Sequence, residues 1–504
     1  MKVSPQRLCI LKQGAPFYPG RSTLHPWRSL PAELPAVAGK SPLPKDDTKI
    51  IMKRIIALTL SILFTAPALL RAAGSSPQPK KPNVVVILMD DVGFGDLGMT
   101  GCKDVATPHI DAVAAHGIRF THGYVSASIC SPSRAGLLTG RYQERWGHDG
   151  NECEELPTTE VTLADRMKQL GYSTGMVGKW HLGNSRGLLP TMRGFDEVFS
   201  PNGNAAYFGS RILDSRRSRT SLQPPADKLL YTTELNSARA AEFIGEHRHH
   251  PFFLYVAFNN VHGPLEVPQK YIDRITSPMA NTDRRKMAAM VSAMDDAVGV
   301  VMEALRTSRL EENTLVFLLN DNGSYDHLVR AGVCHSSPFR GGKSTLWEGG
   351  IRVPFVMQWK GRYPNPLKFE QPVVSLDIVP TSVAAAGGTV QTAWKLDGVN
   401  LLPHLDGKIS EAPHPALYWR MGEKCAVREG DWKMFIQGPP GSNPKPRLFN
   451  VVKDEAELRD LANAHPERVE RMLADWKRWN AQLPPPRPGK EPSKETGKGH
   501  SKEE

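Results

Sequence analysis

The stretch Asn83-Val84-Val85-Val86-Ile87-Leu88-Met89, followed at once by Asp90-Asp91, decides the fold. After Asn83, six apolar positions without polar alternation suit a strand buried on both faces. Such a strand belongs in the middle of a parallel sheet covered by helices. Working outward, Tyr172–Val177, Pro251–Phe258, Thr314–Leu319 and Val353–Trp359 read as further strands. Helical spacing separates them. Thr162 is placed to cap a helix carrying Leu163, Met167 and Leu170, with Gly171 as its stop. Thr232–His247 reads as a helix. Asp283–Leu305 reads as a long one, with the stripe Met287, Val291, Met294, Val298, Val301 and Leu305. The expected fold is therefore α/β, with a large, mostly parallel central sheet sandwiched by helices.

The pattern changes near residue 395. Short strand-like pieces at Ala416–Trp419 and Trp432–Ile436 and a last helix at Pro466–Trp479 suggest a smaller C-terminal α+β domain. The expected organisation is a first domain over 82–394 and a second over 395–483. Residues 484–504 are Pro, Lys, Gly and Glu with almost nothing apolar, so a disordered tail is expected.

The formal charge of +11 invites a nucleic-acid reading. Most of it lies at the front, where residues 1–73 hold eleven Lys and Arg against three Asp and Glu. The rest shows no basic stripe, so no nucleic-acid partner is expected. Met52 opens a second start: Lys53-Arg54, the apolar run Ile55–Phe64, then Ala66-Pro67-Ala68. That is the anatomy of a secretory signal, and the run is short for a bilayer. Residues 52–73 are therefore read as a signal peptide and residues 1–51 as an extension upstream of the true start. Export by the Sec machinery to a periplasmic or secreted location follows, with no stable membrane span. Six cysteines occur, at 9, 102, 130, 153, 334 and 425. After export some could pair, and free buried thiols are equally consistent with the sequence.

The polar residues of interest fall just after the strands. Asp90 and Asp91 follow the first, Lys179 and His181 follow Tyr172–Val177, His262 follows Pro251–Phe258, and Asp321-Asn322 follow Thr314–Leu319. Ligands of open α/β sheets bind outside the carboxyl ends of the strands, so these segments should converge. Asp90, Asp91, Asp321 and the Asn322 amide offer only hard oxygen donors, which suit Ca²⁺ or Mg²⁺ rather than zinc. Either acidic pair alone would be an ordinary turn or cap. In Cys130-Ser131-Pro132-Ser133-Arg134, continuing to Leu138-Thr139-Gly140-Arg141, Pro132 fits the first turn of a helix and Gly140 its end. Cys130 would then stand at a helix N-terminus, where an anion is favoured, with Arg134 one turn on.

The segment Cys130 to Arg141 resembles the sulfatase family, within the alkaline-phosphatase-like superfamily. The family pattern is Cys-x-Pro-Ser-Arg followed by Leu-Thr-Gly-Arg. Further blocks are similar and in family order: Asp90-Asp91, Lys179-Trp180-His181-Leu182-Gly183, His262-Gly263-Pro264-Leu265, Asp321-Asn322-Gly323, Gly342-Lys343, Glu348 to Pro354, Asp377 to Thr381 and Leu448-Phe449-Asn450. They span about residues 82–480. Three places depart or resist alignment: Asn320 where Ser or Thr is common, Ser344 where Gly is frequent, and the loop holding His335.

The resemblance implies an alkaline-phosphatase-like fold and hydrolysis of sulfate monoesters of carbohydrates or aryl alcohols. It implies that a maturation enzyme oxidises Cys130 to formylglycine (3-oxoalanine), whose hydrate attacks sulfur and later expels sulfate. It implies one Ca²⁺ held by Asp90, Asp91, residue 130, Asp321 and Asn322. Arg134 would support the modified side chain, and His181 would take the proton during sulfate release. Lys179, Lys343 and His262 would bind sulfate oxygens, with His262 or Lys343 protonating the leaving alcohol. Two other readings stand beside this one. A phosphatase or phosphodiesterase of the same superfamily would use Ser or Thr with two zinc ions. An inactive sulfated-glycan-binding protein would carry an unmodified Cys130.

Overall fold

In a computed structural model of the 504-residue chain, the described residues are 81–151, 155–201, 207–208, 212–216, 221–222, 230–438 and 442–487. The segments read as extension and signal, together with Cys9 and Cys153, lie outside them. The described residues fall within one compact unit, Pro79–Glu504. Among them no helix is long and apolar enough to cross a membrane.

A ten-stranded mixed sheet forms the centre. From one edge its strands are Leu367–Phe369, Ile118–Phe120, Phe355–Gln358, Thr314–Asn320, Asn83–Met89, Phe252–Ala257, Ser173–Gly178, Glu197–Pro201, Ile212–Asp214 and Ser221–Leu222. The five from Thr314–Asn320 to Glu197–Pro201 run parallel. Phe355–Gln358 is antiparallel to its neighbours, a direction that an apolar run cannot announce.

The opening strand is buried along its whole length. Its side chains alternate between two cores, as the period of two in a strand requires. Val85, Ile87 and Met89 join one cluster with the long helix Thr282–Thr307 and the helix Thr232–Glu246. Val84, Val86 and Leu88 join the other, with Leu163 and Met167, Leu137 and Leu138, and Ile378 and Val379. Burying one such aliphatic side chain contributes about 1.5–3 kcal/mol, so a strand packed on both faces is firmly anchored.

Helix ends follow local chemistry. Asn281 Oδ1 accepts from the backbone N–H groups of Asp283 and Arg284 at 3.0 and 3.2 Å. Thr162 and Asp165 form a reciprocal capping box: Asp165 N–H donates to Thr162 Oγ1 at 3.1 Å, and Thr162 N–H donates to Asp165 Oδ2 at 3.0 Å. Thr162→Ala should therefore lower stability by about 1 kcal/mol, read as a shift of the urea unfolding midpoint with an unchanged slope.

The C-terminal part is a four-stranded antiparallel sheet, Leu417–Met421, Lys424–Glu429, Trp432–Ile436 and Arg447–Asn450, followed by the helix Pro466–Asn480. It shares a core with the rest: Trp419, Phe435 and Phe449 pack with Tyr124, Trp347 and Ile351. Lys433, fully buried, bridges Glu348 at 3.0 Å and Glu457 at 2.9 Å. Residues 484–487 continue past the helix, with Arg487 donating to Gly147 O at 2.8 Å and to Trp146 O at 2.7 Å. The rest of the expected tail, 488–504, lies outside the described residues. Among the described residues Cys102, Cys130, Cys334 and Cys425 are free thiols.

Candidate active site

Four adjacent parallel strands bring the site together. In register, Met89 pairs with Asn320, Leu88 with Ala257, and Ala257 with Gly178. The residues that follow each of these ends therefore emerge at one edge, where an open α/β sheet binds its ligands. Asp90 and Asp91 come from the first strand, Asp321 and Asn322 from the second, His262 from the third and Lys179 from the fourth.

Cys130 is the first residue of the helix Cys130–Thr139, which Gly140 ends at φ +71°. Its Sγ lies 3.5 Å from Asp90 Oδ1 and 3.8 Å from Asp91 Oδ1. Donor atoms of Asp90, Asp91, Cys130 and Asp321 all lie within 4.8 Å of one another, and all four residues are buried. Asn322 Nδ2 donates to Asp91 Oδ1 at 2.6 Å, while Asn322 Oδ1 is buried without a hydrogen-bond partner. A buried carbonyl-type oxygen left bare beside three carboxylates is costly unless a cation takes it. The donor set is rich in hard oxygen and fits Ca²⁺.

Cations surround these carboxylates. Lys179 Nζ donates to Asp90 Oδ2 at 2.6 Å. Lys343 Nζ reaches Asp91 Oδ2 at 2.7 Å and Cys130 Sγ at 3.0 Å. Arg134 donates to Asp321 Oδ2 through Nε at 2.9 Å and Nη2 at 2.7 Å, and to Lys179 O through Nη1 at 3.1 Å. His262 Nε2 is 3.8 Å from Asp91 Oδ2 and 2.9 Å from Tyr325 Oη. His181 lies beside His148, whose Nε2 is 3.1 Å from Ser131 Oγ.

Charge balance divides these groups. Burial alone would raise Asp90, but Lys179 and Arg134 outweigh it and hold the carboxyl below its usual range. Burial and the nearby Asp90 charge push Asp321 up to about 7 despite Arg134. Burial, then the Asp321 carboxylate, raises the Cys130 thiol well above its ordinary value. Burial thus disfavours the thiolate form of this side chain.

Backbone shape supports the geometry. Asp91 at φ +61° and His181 at φ +60° occupy the left-handed region, a cost that recurs at functional positions. Gly323 has no room for a side chain: a Cβ there would stand 1.8 Å from Gly349 O.

The family described as Sulfatase matches residues 82–388, more than half of the chain. The chain belongs to the sulfatase family. Human N-acetylgalactosamine-6-sulfatase is 32% identical to this sulfatase over 457 residues, covering 79% of this chain and 85% of the relative. Rat arylsulfatase G is 32% identical over 475 residues, covering 80% and 88%. Among solved structures, Ps i-CgsB in complex with k-i-k-neocarrahexaose superposes with a TM-score of 0.74 at 29% identity, covering 81% of this chain and 94% of that one. The shared activity is sulfate ester hydrolysis, and the sulfatase is an enzyme of that class.

The three places that departed from the family pattern now have physical settings. Asn320 ties the first loop down, accepting from Val92 N–H at 3.3 Å and donating to Val92 O at 2.8 Å. Ser344 sits at φ +65°, which explains why glycine is the easier choice there. His335 belongs to a neighbouring cluster, its backbone N–H bonded to Asp96 Oδ2 at 3.1 Å. Sequence reasoning missed Tyr325, His148 and Asn151, whose Oδ1 accepts the Ser131 N–H at 3.1 Å. It also missed the hairpin tip at Met421 and Lys424, which touches Ser128 Oγ at 3.4 Å and Ser344 O at 3.1 Å. Single residues in loops carry no period to betray them.

Proposed function

We propose that this sulfatase cleaves sulfate monoesters, of carbohydrates above all, with residue 130 as formylglycine and one bound Ca²⁺. The observation that carries the reading is the position of Cys130. It opens a helix, lies within 4.8 Å of three carboxylate donors and touches the Lys343 ammonium at 3.0 Å. Burial and the Asp321 carboxylate disfavour its thiolate, which accords with a chemically altered side chain as the attacking group.

Asp90, Asp91, residue 130, Asp321 and Asn322 would hold the ion, which supplies positive charge to the sulfate oxygens when bound. An oxidised and hydrated residue 130 supplies the hydroxyl nucleophile and a route for releasing sulfate. The chain's own residues do the rest. Arg134 fixes Asp321 and backs residue 130. Lys179 and Lys343 bring ammonium groups to the sulfate oxygens in a dry site, where such contacts are worth most. His181 takes the proton as sulfate departs. His262 or Lys343 protonates the leaving oxygen.

The carbohydrate preference follows two relatives: one is an N-acetylgalactosamine-6-sulfatase, and one was crystallised with a neocarrahexaose. Aryl sulfates remain useful reporters. Export through Sec to the periplasm or outside the cell, and oxidation by a formylglycine-generating enzyme, complete the proposal.

The test is hydrolysis of matched aryl sulfate and aryl phosphate by protein coexpressed with such a maturation enzyme, with residue 130 checked by mass spectrometry. Preference for the phosphate would favour the phosphatase reading and overturn this one. Chelation by EGTA should cut the sulfatase rate at least about a hundredfold, because a Lewis-acid ion contributes several kcal/mol and each 1.36 kcal/mol is a factor of ten. Added Ca²⁺ should restore it. A rate indifferent to EGTA would remove the ion from the scheme.

A further inference from the structure

Besides Asp91, which faces both, Tyr325 joins the two groups able to protonate the leaving oxygen. Its hydroxyl lies 2.9 Å from His262 Nε2. Its ring lies 4.4 Å from Lys343 Nζ, within cation–π range. An isolated β-bridge pairs the Tyr325 backbone with that of Lys343, and Lys343 N–H donates to Ser324 O at 2.7 Å. The two residues are thus fixed to each other through main chain and side chain alike.

The other end of the imidazole is also held. His262 Nδ1 is 2.7 Å from Gly263 O. A carbonyl only accepts, so Nδ1 carries a proton; when the ring serves as the acid it is the imidazolium, and the proton it gives is the one on Nε2, the nitrogen that faces Tyr325. Nε2 is also the nitrogen nearest the centre, 3.8 Å from Asp91 Oδ2. The ring is therefore clamped at both nitrogens, by a backbone carbonyl on one side and a phenol on the other. Tyr325 is half-buried, which puts it at the mouth of the site rather than in the core. No sequence pattern singled it out.

We propose that Tyr325 is a positioning residue for the leaving-group side of the site. It holds the His262 imidazole and the Lys343 ammonium in one relative arrangement, so that a proton reaches the departing alcohol oxygen. The proposal rests on the sulfatase mechanism argued above. Its consequence is selective. Protonation matters most for a poorly acidic leaving group, such as a sugar alcohol or plain phenol, and little for nitrophenol.

The experiment compares wild type with Tyr325→Phe, which keeps the ring over Lys343 and removes only the hydroxyl. For phenyl sulfate, kcat should fall about tenfold, part of what general acid catalysis supplies. For 4-nitrophenyl sulfate it should fall less than about twofold, with KM little changed for both. Equal losses on the two substrates, or none on either, would overturn the proposal. A second readout needs no turnover. In protein with ¹⁵N-labelled histidine, the His262 Nε2 resonance should move in Tyr325→Phe while the Nδ1 resonance stays. An unmoved Nε2 resonance would also overturn it. If the wild type hydrolyses no sulfate but Nε2 still moves, the clamp stands and the sulfatase mechanism is what has failed.

Discussion

Cys130→Ala should leave a folded protein with sulfate ester hydrolysis reduced by at least about 10⁴-fold, because removing a covalent nucleophile leaves only binding and electrostatic stabilisation. The residue is small and fully buried, and its Sγ contacts are two carboxylates and Lys343. Alanine keeps the backbone and the helix start. Fold and unfolding midpoint should therefore change little, and the loss should appear almost wholly in kcat. Cys130→Ser is the sharper variant. Its hydroxyl could accept sulfur once but has no second hydroxyl to expel the sulfate, so a single turnover ending in a stable sulfate ester is expected. Intact-mass measurement after exposure to substrate checks this. A Cys130→Ala protein with near wild-type turnover would end the proposal.

Arg134→Met should be both inactive and markedly less stable. The guanidinium is fully buried, donates twice to Asp321, donates to Lys179 O and lies 3.4 Å from Asp90 Oδ2. Methionine fills much of the volume and supplies none of the charge. Breaking a buried ion pair from one side costs about 3–5 kcal/mol, since the partner is left uncompensated. Here the partner stands beside Asp90 and Asp91, so repulsion adds to desolvation. Chemical denaturation should show the loss as a lower midpoint. Saturating Ca²⁺ should recover part of it, because an ion bound only to the folded state stabilises by mass action. A midpoint unmoved by the substitution would mean that Arg134 carries no structural charge.

The central strands were legible because burial on both faces leaves a plain chemical trace. Val84–Met89, Leu315–Leu319 and Phe252–Ala257 read as unbroken apolar runs, whereas Ser173–Gly178 shows only Met176 and Val177 between small residues. The convergence of Asp90, Asp91, Asp321, His262 and Lys179 followed from that, through strand ends alone. The edges were not legible. Ile118–Phe120 and Leu367–Phe369 are three residues each, too short for any period to show. The reversed direction of Phe355–Gln358 depends on the route of the preceding loop, not on its own residues. Tyr325 and His148 were hidden for a related reason. Each acts through a contact made across the fold, and nothing beside it in the chain records the partner.

Lys433 carries a consequence for the order of assembly. It joins Glu348, five residues past Lys343, to Glu457 near the far end of the chain. A nascent polypeptide exposes both aspartates, Cys130 and Asp321 well before this tether exists. Until residues near 457 are available, the segment bearing Lys343 lacks its fixed footing. In the folded protein Cys130 is fully buried, so the oxidation proposed for it would have to precede closure of the fold.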